Sequence, residues 1–364
     1  EGAVSGIEKA YNELIESEIS TARVRFSSNA RGRVMLGADI EIFDCDAPKT
    51  GVVLTIDKRI QRITEAALDN SGAECAAAVV IDVESGAIRA CASRPVFDRN
   101  NLSESLTDVN SPLINRALLP FSVGSVFKPV VAAAAIEGGI TDFEYTCTGS
   151  VTLNGVTFNC HKDDGHGTIN MRQAVAVSCN TYFIALANET ERKTLVETAS
   201  AFGFGKELRL AEGIKSSAGY LPDISELDSK AAVANFSFGQ GSLLATPIQI
   251  CSMMAAIANG GVYVEPYLIE GETDNEGKMT KIKAYAERRQ IISYETSRIL
   301  KEYLEAVVTE GSGRRAASDS VAVAGKTATA QTGKSENGEE IYNAWFAGYF
   351  PADKPKYAVA ILKE

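Results

Sequence analysis

At 364 residues, with 45 % hydrophobic and 23 % charged positions, the chain has an ordinary globular composition and room for one large domain or two. A formal net charge of −11 argues against a nucleic-acid-binding surface, and no Lys/Arg run suggests one. No stretch approaches the roughly 18 apolar residues that span a bilayer. The opening residues, Glu1-Gly2-Ala3-Val4-Ser5, already read as domain rather than signal peptide, and no initiating methionine is present. The chain is therefore expected to be a processed or engineered piece of a longer protein.

Residues 1–50 are mixed: a helical start from Ile7 to Ile19, a polar and basic stretch from Ser20 to Arg33, then Asp44-Cys45-Asp46-Ala47-Pro48. They read as a linker and the remnant of another module. From Gly51 the texture changes. Val52-Val53-Leu54 leads into a helix near Thr55, with Ile56, Ile60, Ile63 and Ala67 on one face and Asn70-Ser71-Gly72 at its end. Two apolar runs, Ala76 to Val83 and Ala87 to Ala92, are joined by the turn Glu84-Ser85-Gly86.

The middle of the chain is mainly helical. An alanine-rich helix runs from Ser125 to Glu137, and an amphipathic one from Met171 to Ala187. Thr246-Pro247 starts a third that Asn259-Gly260-Gly261 ends, and Ser293 to Val308 forms a fourth. Strand-like runs return at Val321 to Gln331, Ala344 to Phe350 and Tyr357 to Leu362. The expected fold is α+β, with a five-stranded antiparallel sheet built from about 51–100 and 321–364. Helices flank it, and a mainly helical region of about 101–320 is inserted.

None of the seven cysteines lies in a CxxC pair, which removes the usual zinc and redox patterns. Cys75, Cys91 and Cys251 read as buried apolar residues. Cys147 and Cys160 flank a hairpin-like segment, Gly149 to Asn159, that an oxidising compartment would allow to close as a disulfide. His161 and His166 flank Asp163 and Asp164, but the spacing fits no common zinc pattern, and Gly165 and Gly167 mark a loop. No metal and no cofactor is expected.

Three motifs bear chemistry. In Ser125-Val126-Phe127-Lys128 the serine follows a loop, Pro120 to Gly124, and the lysine lies one helical turn on, on the same face. A neutral lysine, its charge disfavoured by burial or by a second cation, can take the serine's proton. The turn's free N–H groups favour negative charge on the reacting oxygen. The same residues also fit a helix cap and a solvent-facing lysine. Ser178-Cys179-Asn180 interrupts a helical pattern; it fits a plain polar turn, or a hydroxyl that relays a proton beside an amide that holds an acyl group. Lys326-Thr327-Ala328-Thr329 lies in a strand of small residues, where Lys326 fits a guard against edge aggregation. It equally fits a carboxylate anchor helped by Thr327 and Thr329, with the N–H of Thr329 and that of Ser125 as an oxyanion hole.

In this order and context the three motifs are the signature of penicillin-binding proteins and related β-lactamases. From about Gly51 to Glu364 the chain resembles the transpeptidase domain of class B penicillin-binding proteins. The likeness includes Leu54-Thr55-Ile56-Asp57, Ser93-Arg94-Pro95, Asn115-Arg116-Ala117 and Gly124 to Pro129. It continues through Phe238-Gly239-Gln240-Gly241, Thr246-Pro247-Ile248-Gln249, Gly325 to Gln331 and Trp345-Phe346-Ala347-Gly348. Ser5-Gly6-Ile7-Glu8 looks like the linker ahead of such domains.

The resemblance implies a β-lactamase/transpeptidase-like fold and a D,D-transpeptidase whose catalytic residues are Ser125, Lys128, Ser178, Asn180 and Lys326, with Thr327, Ala328 and Thr329 against the substrate. Peptidoglycan stem peptides would be the substrate, with release of D-Ala, and β-lactams would acylate Ser125. It also implies an extracytoplasmic domain, a single-pass membrane anchor outside these residues, and a membrane glycosyltransferase partner in the full-length protein. Two departures stand out: Ala328 replaces a glycine, and the chain stops at the last strand where such domains add a helix. A serine β-lactamase, a D,D-carboxypeptidase and a non-catalytic penicillin-binding sensor are the rivals. The first is disfavoured because no Glu-x-x-Leu-Asn lies between Ser178 and Lys326.

Overall fold

The computed structural model describes residues 5–16, 23–28, 30–31, 33, 41–43, 50–98, 100–274, 276–282, 287–336 and 338–364. The segment Asp44 to Pro48 lies outside them. The chain divides into two compact units.

The smaller unit comprises Glu1–Thr55, Ala211–Ile214 and Leu268–Tyr285. Its strand Gly51–Leu54 pairs with Ile269–Thr273, which pairs in turn with Met279–Lys281. Residues 51–55 thus group with the N-terminal residues and not with the sheet expected to begin there. The reason is long-range pairing, since the partner of this strand lies more than two hundred positions along the chain and leaves no local trace.

The larger unit is built on a five-stranded antiparallel sheet. Its strands are β1 (Ala76–Asp82), β2 (Ile88–Arg94), β3 (Ala324–Glu336), β4 (Glu339–Phe350) and β5 (Tyr357–Lys363), in the order β3-β4-β5-β1-β2. Both chain ends contribute, as the apolar runs imply. β1 is an interior strand buried at six of its seven positions, which is why it reads as a continuous apolar run. β4 starts five residues before its apolar run, because its first residues carry the β3–β4 hairpin out from the core with polar side chains.

Six helices position the site: α1 (Lys58–Asn70), α2 (Lys128–Glu137), α3 (Met171–Ala176), α4 (Asn180–Glu189), α5 (Pro247–Ala258) and α6 (Tyr294–Thr309). The face expected on α1 is not the one that packs. Ile63 is 66 % exposed, and Leu68 is the buried residue. A polar contact overrides the apolar period: Gln61 lies against the edge strand β2, donating from Nε2 to the Cys91 carbonyl (3.1 Å) and accepting the Cys91 N–H at Oε1 (2.8 Å). The side chain acts there as a short extra strand for an unpaired edge.

α5 is buried at all twelve positions, so it shows no amphipathic stripe. It begins with a capping box, Thr246 with Gln249. Gln249 is fully buried; its Nε2 also lies 3.1, 3.0 and 2.9 Å from the carbonyls of Gly203, Lys206 and Ala218. Replacing it with leucine would leave those acceptors dry and remove half the cap. Gln249→Leu should therefore cost about 3 kcal/mol of unfolding free energy, read by urea titration. A loss below about 1 kcal/mol would show that the carbonyls find water instead.

Candidate active site

Ser125 lies on a turn of 3₁₀-helix, Gly124–Phe127, that runs directly into α2. Three things hold this turn. Phe127 is fully buried, edge-on to Phe204 (5.2 Å) and Phe236 (5.0 Å). The Gly124 N–H donates to the Gly239 carbonyl at 2.8 Å. The Trp345 indole donates to the Ser122 carbonyl at 2.9 Å. Gly124 has φ +63°, and a side chain there would meet the Ala330 Cβ at 2.9 Å, so β3 lies directly over the turn.

Lys128 is completely buried, not solvent-facing. Its Nζ contacts the Ser178 carbonyl (2.6 Å), the Ser178 hydroxyl (3.2 Å) and the Asn180 Oδ1 (2.8 Å), and sits 5.5 Å from the Phe183 ring centre. Burial pulls its pKa down to about 7, opposed by the thiols of Cys179 and Cys160. Lys326 is equally buried. Desolvation first, and then the nearby Lys128, hold it well below the usual lysine range. Its Nζ donates to the Thr327 carbonyl at 3.0 Å, and no carboxylate pairs with it among the described residues.

The second motif sits where the expected Met171–Ala187 helix breaks in two. α3 ends with Ser178 in the left-handed region (φ +60°). The Cys179 N–H returns to the Ala174 carbonyl (3.0 Å) and that of Ser178 to the Val175 carbonyl (3.2 Å). This is the Schellman ending that usually carries glycine at the position Ser178 occupies. Cys179 then caps α4, receiving the Tyr182 N–H on its sulfur. Asn180 is held at both ends: its oxygen faces Lys128, and its Nδ2 donates to the Asn159 carbonyl at 3.1 Å.

A cleft of about 1050 Å³ is lined by Ser125, Ser178, Asn180, Thr327, Ala328 and Thr329, among others. Lys128 and Lys326 lie buried and outside that lining. Ala328 is 8 % exposed, and a side chain added at Gly124 would come 3.4 Å from its methyl. The methyl is therefore turned toward the turn that carries Ser125. Sequence reasoning passed over Ser312, also in the lining, whose hydroxyl lies 3.2 Å from that of Thr327. Its signal is the tripeptide Gly311-Ser312-Gly313, which reads only as a helix stop. A side chain at Gly311 would strike the Ala176 carbonyl at 2.1 Å, so the glycine lets this loop close on α3.

Cys147 and Cys160 are free thiols here and not a disulfide. The fold also gathers Cys147, Cys160, His166 and Cys179 from four separate segments, a grouping that spacing along the chain does not show.

The family model for the penicillin-binding protein transpeptidase domain matches residues 76–364. The chain belongs to this family. Among its relatives, stage V sporulation protein D of Bacillus subtilis is 32 % identical over 98 % of the chain and 55 % of the relative. The peptidoglycan D,D-transpeptidase PbpA of Mycobacterium tuberculosis is 29 % identical over 94 % of the chain and 75 % of its own length. The crystal structure of the D,D-transpeptidase domain of an Eggerthella lenta peptidoglycan glycosyltransferase superimposes with a TM-score of 0.81 at 28 % identity, covering 99 % of this chain and 82 % of that one. Penicillin-binding protein 3 of Mycobacterium tuberculosis, complexed with aztreonam, gives 0.76 at 30 % identity, over 86 % of this chain and 72 % of that one. The chain spans about half the length of the first curated relatives it matches.

The left-handed Ser178 supplies a clean test of backbone strain. Ser178→Ala and Ser178→Gly both delete the hydroxyl, but only alanine keeps the unfavourable Cβ. The glycine variant should be the more stable by about 1 kcal/mol, the reverse of the usual order for these residues. Thermal melting of the pair measures it; alanine equal to or above glycine would mean the motif does not depend on this geometry.

Proposed function

We propose that this chain is the acyl-transferring domain of a peptidoglycan D,D-transpeptidase, with Ser125 as nucleophile and Lys128 as its base. The observation that carries the reading is a buried amine, free of any carboxylate, held beneath Ser178 and Asn180 at a cleft that also holds Ser125.

Neutral Lys128 takes the Ser125 hydroxyl proton as Oγ attacks the carbonyl of the terminal D-Ala–D-Ala bond. The tetrahedral oxyanion is received by the N–H groups of Ser125 and Thr329. Ser178, 3.2 Å from the Lys128 Nζ, relays the proton to the leaving amine, and D-Ala departs. Asn180 fixes the lysine, and its remaining N–H is available to the acyl group. The substrate carboxylate lies against Lys326, Thr327 and Thr329; its negative charge offsets the desolvation that disfavours the charged form of Lys326. An amine from a second stem peptide then resolves the ester, with the same groups working in reverse. A β-lactam follows the first half, but its leaving nitrogen stays tethered and blocks the second.

Water is a poor acceptor in this cleft. Among the described residues that line it, Glu340 carries the one carboxylate, and Gln331 (3.2 Å) and the Tyr342 hydroxyl (2.6 Å) both donate to it. That favours a long-lived acyl-enzyme over a β-lactamase or D,D-carboxypeptidase. No helix among the described residues is long and apolar enough to cross a membrane. Attachment to the cell membrane, an extracytoplasmic position and a glycosyltransferase partner are part of the proposal for the full-length protein.

Penicillin treatment followed by mass spectrometry should give one intact adduct on the Ser125 peptide, absent from Ser125→Ala. An adduct that survives that substitution sinks the assignment, and rapid release of hydrolysed penicillin supports a β-lactamase instead. The pH profile tests the base. With the Lys128 pKa lowered to about 7, the reactive neutral form dominates above that pH and shrinks below it. Acylation should fall about tenfold per pH unit below about 6. A flat profile from about pH 5 to 8 would remove Lys128 from the role.

A further inference from the structure

Cys147 ends the strand Glu144–Cys147, Cys160 follows the strand Val156–Asn159, His166 precedes the strand Gly167–Asn170, and Cys179 caps α4. Their three sulfurs and one imidazole nitrogen all lie within 4.8 Å of one another. The individual spacings are more informative. Cys160 Sγ is 3.8 Å from Cys179 Sγ, and His166 Nδ1 is 3.5 Å from both Cys147 Sγ and Cys160 Sγ. A tetrahedral zinc ion, with Zn–S of about 2.3 Å and Zn–N of about 2.0–2.1 Å, sets its ligand atoms about 3.8 Å (S to S) and about 3.6 Å (S to N) apart. A disulfide needs about 2.05 Å and would leave the third thiol and the imidazole without a role.

The surroundings suit thiolates. Cys179 Sγ accepts the Tyr182 N–H at 3.5 Å, the kind of main-chain donor that a metal-bound thiolate receives. All three cysteines are buried. The loop that carries His166 is folded to close quarters. A side chain at Gly165 would meet the Cys147 carbonyl at 2.1 Å, and one at Gly149 the Asp163 carbonyl at 1.8 Å; both glycines have positive φ. Such crowding brings the two backbone segments together beside Cys147.

We propose that Cys147, Cys160, Cys179 and His166 bind one Zn²⁺ as a closed structural site, and that the ion fixes the Ser178–Asn180 motif. Each cysteine gives up its proton on binding, and no fourth-position water is left for chemistry. The positioning follows from connectivity. Cys179 separates Ser178 from Asn180, and Cys160 follows Asn159, whose carbonyl receives the Asn180 amide. The ion thus ties down both backbone segments that hold Asn180. The metal assignment stands on ligand geometry alone; its positioning role rests on the acyl-transfer reading.

Elemental analysis of protein purified under reducing conditions without chelator should find about one zinc per chain, retained in Cys75→Ser and lost in Cys160→Ser and His166→Ala. Because a ligand variant can fail to fold, wild-type protein stripped by a chelator in reductant is followed in parallel by circular dichroism and titrated with Co²⁺. Tetrahedral cobalt–thiolate absorption should appear at a one-to-one ratio. Reduced, folded protein that takes up neither Zn²⁺ nor Co²⁺, or a Cys160–Cys179 disulfide found in its place, overturns the assignment. Penicillin acylation of the same samples is read separately. Stripping should slow it at least about tenfold, with recovery on adding Zn²⁺. An unchanged rate would overturn the positioning role while leaving the ion. Zinc-loaded protein that never acylates would instead count against the acyl-transfer reading.

Discussion

The site depends on an amine kept out of water. Lys128 has no exposed surface and, among the described residues, no acid beside it, so holding its charge is costly. Instead it surrounds the nitrogen with oxygens: a main-chain carbonyl, a hydroxyl and an amide oxygen. The carbonyl and the amide oxygen accept from either protonation state, while the hydroxyl accepts from the charged amine or donates to the lone pair of the neutral one, so none forces the charge as a carboxylate would. Lys326, buried with no acid partner among the described residues, adds a second amine that resists protonation while the first carries a proton. An incoming anionic group changes that balance, which makes substrate charge part of the site's acid–base chemistry.

Such an arrangement works only if the oxygens cannot drift. Ser178 is held left-handed by a helix ending, Asn180 is bonded at both ends, and the turn bearing Ser125 is locked by an aromatic pair and a main-chain bond to Gly239. A side chain on Gly239 would lie 2.2 Å from the Gly124 carbonyl oxygen, so the two loops touch backbone to backbone. Rigidity here comes from close approach and strain at two or three positions more than from any single strong bond.

Much of this was legible in the sequence, for identifiable reasons. Apolar runs located all five strands because a central sheet must be hydrophobic, and Thr246-Pro247 marked α5 because caps are local chemistry. The three motifs singled out Ser125, Lys128, Ser178, Asn180 and Lys326, and the fold brings Lys128, Ser178 and Asn180 into contact. What stayed hidden depends on contacts across long stretches of chain. Gln61, a polar residue whose contact with β2 no local pattern shows, decides the packing face of α1. The partner of Gly51–Leu54 lies beyond residue 268. Ser312 has no motif of its own. The thiol and imidazole cluster shows no ligand spacing because each member comes from a different segment; only the fold makes them neighbours.

The hydrogen bond from Trp345 to Ser122 has a practical consequence. The chain contains a single tryptophan, 4 % exposed, on the strand opposite Ala328 and bonded three residues ahead of Ser125. Its emission therefore comes from one place, the seam between sheet and catalytic turn. Any event that shifts this turn against the strand alters the environment of the indole N–H. The protein carries a built-in optical reporter of its own active site, with no label to attach and no second indole to subtract.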